Sequence, residues 1–408
     1  MTPHAAHALL ESFFAPSSAT HFFESISGKV THALIPAADG YRTSLLGPDP
    51  AGAILDAYSR FAGTVRIVGP TDDITTPSDA IIEDRETFER AVRKVHSDNL
   101  VVMILNGEEV SSEVVRVRRA LEYAVGGPVY VRIFWGQSGS MSRKHRDDSD
   151  VLSVQLIGAK SWLISSEDMG FPNPWSEISP GRGGLRACSA KCAESEPHAR
   201  VTVKEGDLLY VPRGQWHQVH ALDQEEAISV AFGFRQTTVR DVLGVMLDYM
   251  SDRDREMRAG IGQDEALPAI NGSSAPSADA LPQIFSRAAA FYGCEANLHD
   301  AMQWKRASFL GNLPDLERTG PPDAPVSLAS KVRLADLALC FVSMNGSSVV
   351  LSYPGDHLTA PAACEPAFRF IVENEEFQIQ DLPGRITDRS KLMIAKKLID
   401  CGVLTLCS

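Results

Sequence analysis

The sequence predicts a mainly β protein with α-helices before and after the β core. Two shifts in pattern carry that prediction. From Val129 to Phe234, short runs rich in branched and aromatic residues (VYVRIFW, DVLSVQLIG, KSWLISS, ARVTVKEGD, LLYVPRG, AISVAFGF) follow one another between Gly, Pro, Asp and Ser. Many short strands with turn signals and little helical periodicity make a β-sandwich or barrel. On either side of this stretch the apolar spacing turns helical. TFERAVRKVHS (87–97) and SSEVVRVRRALEYA (111–124) precede it, and VRDVLGVMLDYM follows, with Val239, Leu243, Met246 and Tyr249 or Met250 on one stripe.

The chain has 408 residues, more than one hydrophobic core usually serves. Residues 1–125 read as an α/β part packing on the barrel. Within it, Ser17 and Ser18 cap a short helical segment, and VVMILNG (101–107) forms a strand ending in a turn. Residues 126–236 are the β core. Residues 237–324 are helical, with Gly260 as a stop, a linker rich in Ala, Pro, Ser and Gly over 262–283, and a second helix over 284–291. Residues 325–408 read as a small α+β unit. There SSVVLSYP and FRFIVENEEFQIQDLPG supply strand runs, and ITDRSKLMIAKKLIDCG supplies a helix capped by Asp388 and stopped at Gly402. VLTLC is a last strand.

Composition narrows the function classes. Hydrophobic content of 44% and charged content of 22% are those of a globular chain. The opening MTPHAAHALLESFF lacks a basic leader and a long apolar run, and no stretch approaches about 18 apolar residues, so neither a signal peptide nor a membrane span is expected. Seven cysteines, an odd number in a long chain, do not suit a secreted disulfide scaffold, and a cytoplasmic location is expected. Cys188 and Cys192 form a CxxxC with no second pair nearby, which reads as unpaired thiols before it reads as a zinc site. A net charge of −13 argues against gripping nucleic acid by bulk charge. It suits a basic peptide partner, or solubility alone.

The chemistry concentrates in two segments. In RKHRDDSDVLSVQLIGAKSW, His145 and Asp147 are two apart on extended chain, so both face the same side. In EGDLLYVPRGQWHQVHAL, a turn, a strand and a second turn lead to His217 at the start of a further strand. Two histidines and one carboxylate are the donor set of the facial triad of non-haem iron oxygenases, which leaves positions open for co-substrate and O2. An HxD pair is common by accident. Read apart from each other, His145 belongs to a polar charged run and His217 to a core or a turn.

Together the two segments resemble the JmjC/cupin-type protein hydroxylases, and most closely their ribosomal oxygenase subgroup. HxDxxDVxxxQxxGxKxW from His145 to Trp162 and GDLLYVPxGxWH carry the resemblance, and DLPGxxTDRxKLxxxxxLIxxGVL is similar to that subgroup's winged-helix tail. The resemblance implies a double-stranded β-helix (jelly-roll) core, a helical dimerisation region and a winged-helix-like C-terminal domain. It implies Fe(II), O2 and 2-oxoglutarate as cofactors, hydroxylation of a protein or peptide side chain with release of succinate and CO2, and a homodimer. By position, His145, Asp147 and His217 match the metal ligands. Lys160 matches the cation that pairs with the distal carboxylate of 2-oxoglutarate, and Tyr130 matches a tyrosine that hydrogen-bonds the same carboxylate.

Lys160 reads equally as a solvent-facing strand lysine, and Tyr130 as a core or interface tyrosine. The sequence departs from the subgroup at Arg146, between two ligands, where an aromatic is usual. Arg132 and Trp135 on the strand leading to the site have no match among its substrate contacts. A small-molecule substrate, another metal, and a cupin-like binding protein without oxygenase activity are the competing readings. The stripe from Val239 to Met250 fits a dimer contact or packing within one subunit.

Overall fold

The structure is a computed structural model, and it describes residues 1–38, 40–71, 74–165, 186–187, 197–222, 226–258, 281–318 and 325–407. They belong to two units, Met1–Gln236 and Thr237–Ser408. The CxxxC cysteines, Gly260 and most of the anticipated linker lie outside the described residues.

In the first unit the strands are β1 (Ala33–Ile35), β2 (Val65–Val68), β3 (Val101–Ile104), β4 (Val129–Gln137), β5 (His145–Arg146), β6 (Asp150–Ile157), β7 (Lys160–Ser165), β8 (Arg186–Ala187), β9 (Pro197–Val203), β10 (Leu208–Val211), β11 (His217–Ala221) and β12 (Glu226–Phe234). They form a seven-stranded sheet, β1-β10-β6-β12-β4-β3-β2, and a five-stranded sheet, β8-β5-β11-β7-β9. Every pairing is antiparallel, giving a mixed α/β fold whose two sheets are consistent with a jelly roll.

Alternation along β4 explains why the large sheet is buried on both faces. Val131 and Ile133 point outward into a core shared with Leu152, Val154, Val230 and Phe232. Tyr130, Arg132 and Phe134 point the other way, into the space between the sheets. The outward core is closed by the N-terminal elements: α1 (Pro3–Phe14), α2 (Pro50–Asp56), α3 (Arg85–Ser97) and α4 (Ser112–Val125). Helix α1, which periodicity did not single out, begins at a Thr2 cap and buries Leu10, Phe13 and Phe14. Phe13 meets Phe232 of β12 edge to face at 5.5 Å. Arg42 donates to the carbonyls of Gly206, Phe13 and Ala15 at 2.6, 3.0 and 2.7 Å, tying the N-terminal layer to the turn before β10.

In the second unit, α5 (Val239–Arg253) starts at a Thr238–Asp241 capping box. It ends at Arg253, because Asp254 takes an extended backbone and a short 3-10 turn follows. The expected stripe divides. Met246, Tyr249 and Met250 are buried, whereas Val239 and Leu243 are 78% and 48% exposed. Helices α6 (Leu281–Tyr292) and α7 (Glu295–Gly311) follow. Helix α7 escaped the sequence reading because its apolar residues do not keep one spacing, and its buried members are Ala301 and Leu310.

Beyond these lie the sheets β17-β13-β18 and β14-β15-β16, built from β13 (Lys331–Leu334), β14 (Phe341–Asn345), β15 (Ser348–Tyr353), β16 (Asp356–Pro361), β17 (Glu376–Gln378) and β18 (Leu404–Leu406). The run FRFIVE, expected as strand, is helix α8 (Glu365–Glu373). Pro366 sits in its first turn, and Ala367, Phe368 and Ile371 form a helical stripe against the C-terminal core. Helix α9 (Asp388–Asp400) is capped by Thr387, whose side chain accepts from Ser390 N, so Asp388 is its first residue and not its cap. Among the described residues no helix is long and apolar enough to cross a membrane.

Phe13→Ala is expected to lower unfolding stability by about 3–5 kcal/mol. Urea titration of the whole chain, read by intrinsic fluorescence, measures it; a loss under about 1 kcal/mol would show that α1 does not brace the large sheet.

Candidate active site

The ladder between β5 and β11 sets His145 directly opposite His217. Their ring centroids are 4.3 Å apart. Asp147 follows β5 and is held from the other side, since its carbonyl accepts from Gly214 N at 2.8 Å in the turn before β11. Its Oδ2 lies 3.7 Å from His217 Nε2. The three residues can each offer a ligand atom within 4.8 Å of the others. Both histidines are buried, at 8% and 2% exposure.

The ring orientations suit a metal. His145 Nδ1 lies 2.8 Å from the Arg143 carbonyl, and His217 Nδ1 lies 3.0 Å from the Gln215 carbonyl. A carbonyl oxygen only accepts, so each Nδ1 carries the proton and each Nε2 keeps a free lone pair. Burial first, and then the neighbouring His217, push His145 down to about 4, so its ring is neutral at ordinary pH. Trp162 lies beside His217 with centroids 5.2 Å apart and an interplanar angle of 30°. Two imidazoles with Nε2 turned inward and one carboxylate on one side of a common point fit a divalent transition metal with open positions.

The cavity containing the triad is also lined by Tyr130, Arg132, Ser153, Lys160, Trp162 and Ser229. Lys160 opens β7 after a tight turn at Gly158, whose φ is +68° and whose added Cβ would meet the Glu226 carbonyl at 2.5 Å. Lys160 is 6% exposed, so it is not a solvent-facing strand lysine. Its Nζ donates to Ser229 Oγ at 2.6 Å and to the Phe134 carbonyl at 3.4 Å. Among the described residues no carboxylate stands within ion-pair reach of it. Burial pushes the ammonium down to about 7.

Tyr130 lines the same cavity at another level. Its Oη lies 2.7 Å from Ser149 Oγ, and burial, then the Asp147 charge, push its hydroxyl up to about 12. Tyr130 and Phe134 are four residues apart on β4, about 13 Å along a strand. The structure therefore sets Tyr130 near Asp147, away from the Lys160 ammonium. Gly233 opposite is obligatory for this position, because an added Cβ would fall 1.9 Å from Tyr130 Cζ.

The remaining candidates separate. Trp135 points outward and its Nε1 donates to Glu226 Oε1 at 2.6 Å. Arg146 is buried with its Cζ 5.2 Å from the Trp216 ring. Asp150 accepts from Tyr210 Oη at 2.6 Å, which in turn accepts from Gly28 N at 2.7 Å, so it braces the fold outside the cavity. Sequence reasoning missed Ser229, Ala231 and Gly233. Their alternation along β12 marks an inward face of small residues, and that was the available signal.

Residues 104–242 match the JmjC domain family. This part of the chain is similar to a JmjC domain. It holds the triad together with Tyr130, Arg132 and Lys160. A bifunctional lysine-specific demethylase and histidyl-hydroxylase NO66 from Dictyostelium discoideum is 26% identical over 179 residues, covering 42% of this chain and 34% of that protein. Ribosomal oxygenase 1 from Gallus gallus is 21% identical over 379 residues, covering 82% of this chain and 62% of its own. This chain thus spans about a third and about three-fifths of the length of these two relatives. The Escherichia coli ribosomal oxygenase YcfD, solved in complex with cobalt and 2-oxoglutarate, superposes with a TM-score of 0.54 at 15% identity, over 95% of this chain and 98% of that one. That likeness is one of fold, and it extends beyond the JmjC domain.

His217→Ala and His145→Ala are each expected to abolish stoichiometric Co(II) binding, read anaerobically by visible absorption and by quenching of Trp162. A variant that still took up one equivalent with an unchanged spectrum would remove that histidine from the triad.

Proposed function

We propose that this chain is an Fe(II)- and 2-oxoglutarate-dependent hydroxylase acting on a side chain of a protein or peptide. The observation that carries the reading is Lys160: a buried cation, without a carboxylate partner among the described residues, in the same cavity as a two-histidine-one-carboxylate triad. Burying an ammonium is costly unless an anion joins it. A 2-oxo acid chelating a metal through one end carries a second carboxylate that meets this need.

In this reading His145, Asp147 and His217 hold iron. Iron with 2-oxoglutarate and O2 supplies the oxidation, in which one oxygen atom enters a substrate C–H bond, the other enters succinate, and CO2 leaves. The chain's own part is placement. The Arg143 and Gln215 carbonyls fix which nitrogen of each imidazole faces the metal. Lys160, steadied by Ser229, fixes the far end of the co-substrate. Trp162 and Val219 wall off water on the small-sheet side. The names of the relatives, ribosomal oxygenase and histidyl-hydroxylase, support a protein substrate.

Lys160→Ala is expected to raise the 2-oxoglutarate requirement by about 100-fold or more, the effect of about 3 kcal/mol for a buried charge pair, while Lys160→Arg restores part of it. Titration of the Co(II)-loaded protein measures this directly, and an unchanged requirement would dissociate Lys160 from the co-substrate. The lowered ammonium adds a pH signature. Below about 7 the amine is already charged and affinity is flat. Above it, binding must take up a proton, and affinity falls by up to about tenfold per pH unit. Calorimetry in buffers of different ionisation enthalpy reads that uptake.

Exposed apolar residues in the second unit support an assembly role. Val239, Leu243 and Leu247 recur at four-residue spacing on α5 and are exposed, as is Phe285 on α6. We infer a homodimer contact there and a winged-helix-like domain beyond it with an interaction role. Leu243→Glu is then expected to give monomers in sedimentation velocity, and a variant that remained dimeric would move the contact elsewhere. Five free thiols among the described residues suit the expected cytoplasmic compartment.

A further inference from the structure

Arg132 is a second cation in the triad's cavity, and neither the metal ligands nor Lys160 account for it. It stands on β4 between Tyr130 and Phe134, on the face that looks into the cavity. Ala231 lies opposite it on β12 and Ser153 beyond that on β6, so two small side chains leave room along its path. Its guanidinium carbon lies 4.4 Å from the centre of the Tyr130 ring. That contact turns it toward the level of Tyr130 and Asp147 and away from Lys160. Among the described residues its N–H groups meet no acceptor and no carboxylate.

A guanidinium placed over an aromatic ring still has a planar fork of donors, and that fork matches a carboxylate in two parallel hydrogen bonds. The co-substrate's distal carboxylate already has Lys160. The group left for Arg132 is therefore on the molecule being oxidised. We propose that Arg132 recognises a carboxylate of that molecule, so that the preferred substrate is a peptide presenting an Asp or Glu side chain at the reacting position. This proposal rests on the oxygenase reading above and names its substrate class. It also sets this site apart from a relative named for lysine and histidine side chains. A cationic side chain would meet Arg132 at close range, and like charges so placed select against it. The net charge of −13 does not oppose an acidic peptide at this position, because salt screens distant charges beyond about 8–10 Å.

The test uses the full chain loaded with Co(II) and 2-oxoglutarate without oxygen, and blocked pentapeptides with a central Asp, Glu, Asn, Arg, His or Lys between glycines. A further peptide carries its only carboxylate at the C-terminus. Calorimetry reads binding, and mass spectrometry of the Fe(II) enzyme in air reads the gain of one oxygen. The expected result is that the central Asp or Glu peptide binds at least about 10-fold tighter than its Asn, Arg, His and Lys counterparts. Arg132→Gln should erase the difference between acid and amide, Arg132→Lys should restore part of it, and 2-oxoglutarate affinity should change less than about twofold in both. Preference for the terminal carboxylate would keep the recognition and move it to a chain end. Equal binding of all peptides, binding of none, or preference for a cationic one would overturn the proposal. So would an Arg132→Gln variant that loses 2-oxoglutarate as Lys160→Ala does, since that assigns Arg132 to the co-substrate. Failure of the oxygenase reading shows separately, as absence of 2-oxoglutarate binding to the unaltered protein.

Discussion

His145 and His217 face each other across the ladder between β5 and β11, and the site is organised around that pairing. A cross-strand pair on one face of an antiparallel ladder brings two side chains to within about 5 Å without any help from side-chain contacts. Here the pair lies on the small sheet and looks toward the large one, so the third ligand and the remaining cavity residues must converge from turns and from the opposite face. Asp147 does so because its carbonyl is bonded to Gly214 in the turn that delivers His217. A one-residue slip of β11 would send His217 to the outside of the sandwich. Val219 and Ala221, which face the cavity with it, would be turned outward by the same slip.

The second constraint is one of volume. Across the large sheet, Phe134, Arg132 and Tyr130 on β4 face Ser229, Ala231 and Gly233 on β12. Large side chains opposite small ones leave a cavity between the sheets where a sandwich would otherwise be filled. The same strands bury Val131, Ile133, Val230 and Phe232 on their other face, under the N-terminal helices. Residues 1–125 therefore cover the outer face of the sheet whose inner face carries Tyr130 and Arg132, and Val68 and Val101 also line the cavity itself. Two cations then occupy two levels of one cavity. Lys160 is anchored by Ser229, and Arg132 lies over the Tyr130 ring; in the proposed function the first marks the co-substrate end and the second the substrate end.

The β core was legible because strands buried on one or both faces announce themselves by alternation and by turn residues, and each β run read between Val129 and Phe234 contains a strand. Helices were less evenly legible. Amphipathic α3 and α4 were clear, whereas α7 has no single apolar face to reveal it. In α8, FRFIVE alternates like a strand over a few residues, and only its packing of Phe368 and Ile371 against the C-terminal core decides for helix. The exposed half of the α5 stripe shows a related limit, since periodicity states which residues share a face but not what covers it.

By itself the sequence determined the donor set of His145, Asp147 and His217 and placed Lys160 on a strand, because spacing of two and the turn-strand-turn pattern are local and need no partner. Tertiary structure decided what local pattern leaves open. It buried Lys160, set Tyr130 beside Asp147 and not beside Lys160, turned Trp135 into the core, and put Arg132 in the cavity. Each of those outcomes depends on residues brought near from strands distant in sequence: Ser229 lies opposite Phe134 and accepts from Lys160 across the cavity, Ala231 lies opposite Arg132, and Gly233 opposite Tyr130. Register across a sheet is fixed by the whole core, and no single stretch of chain encodes it.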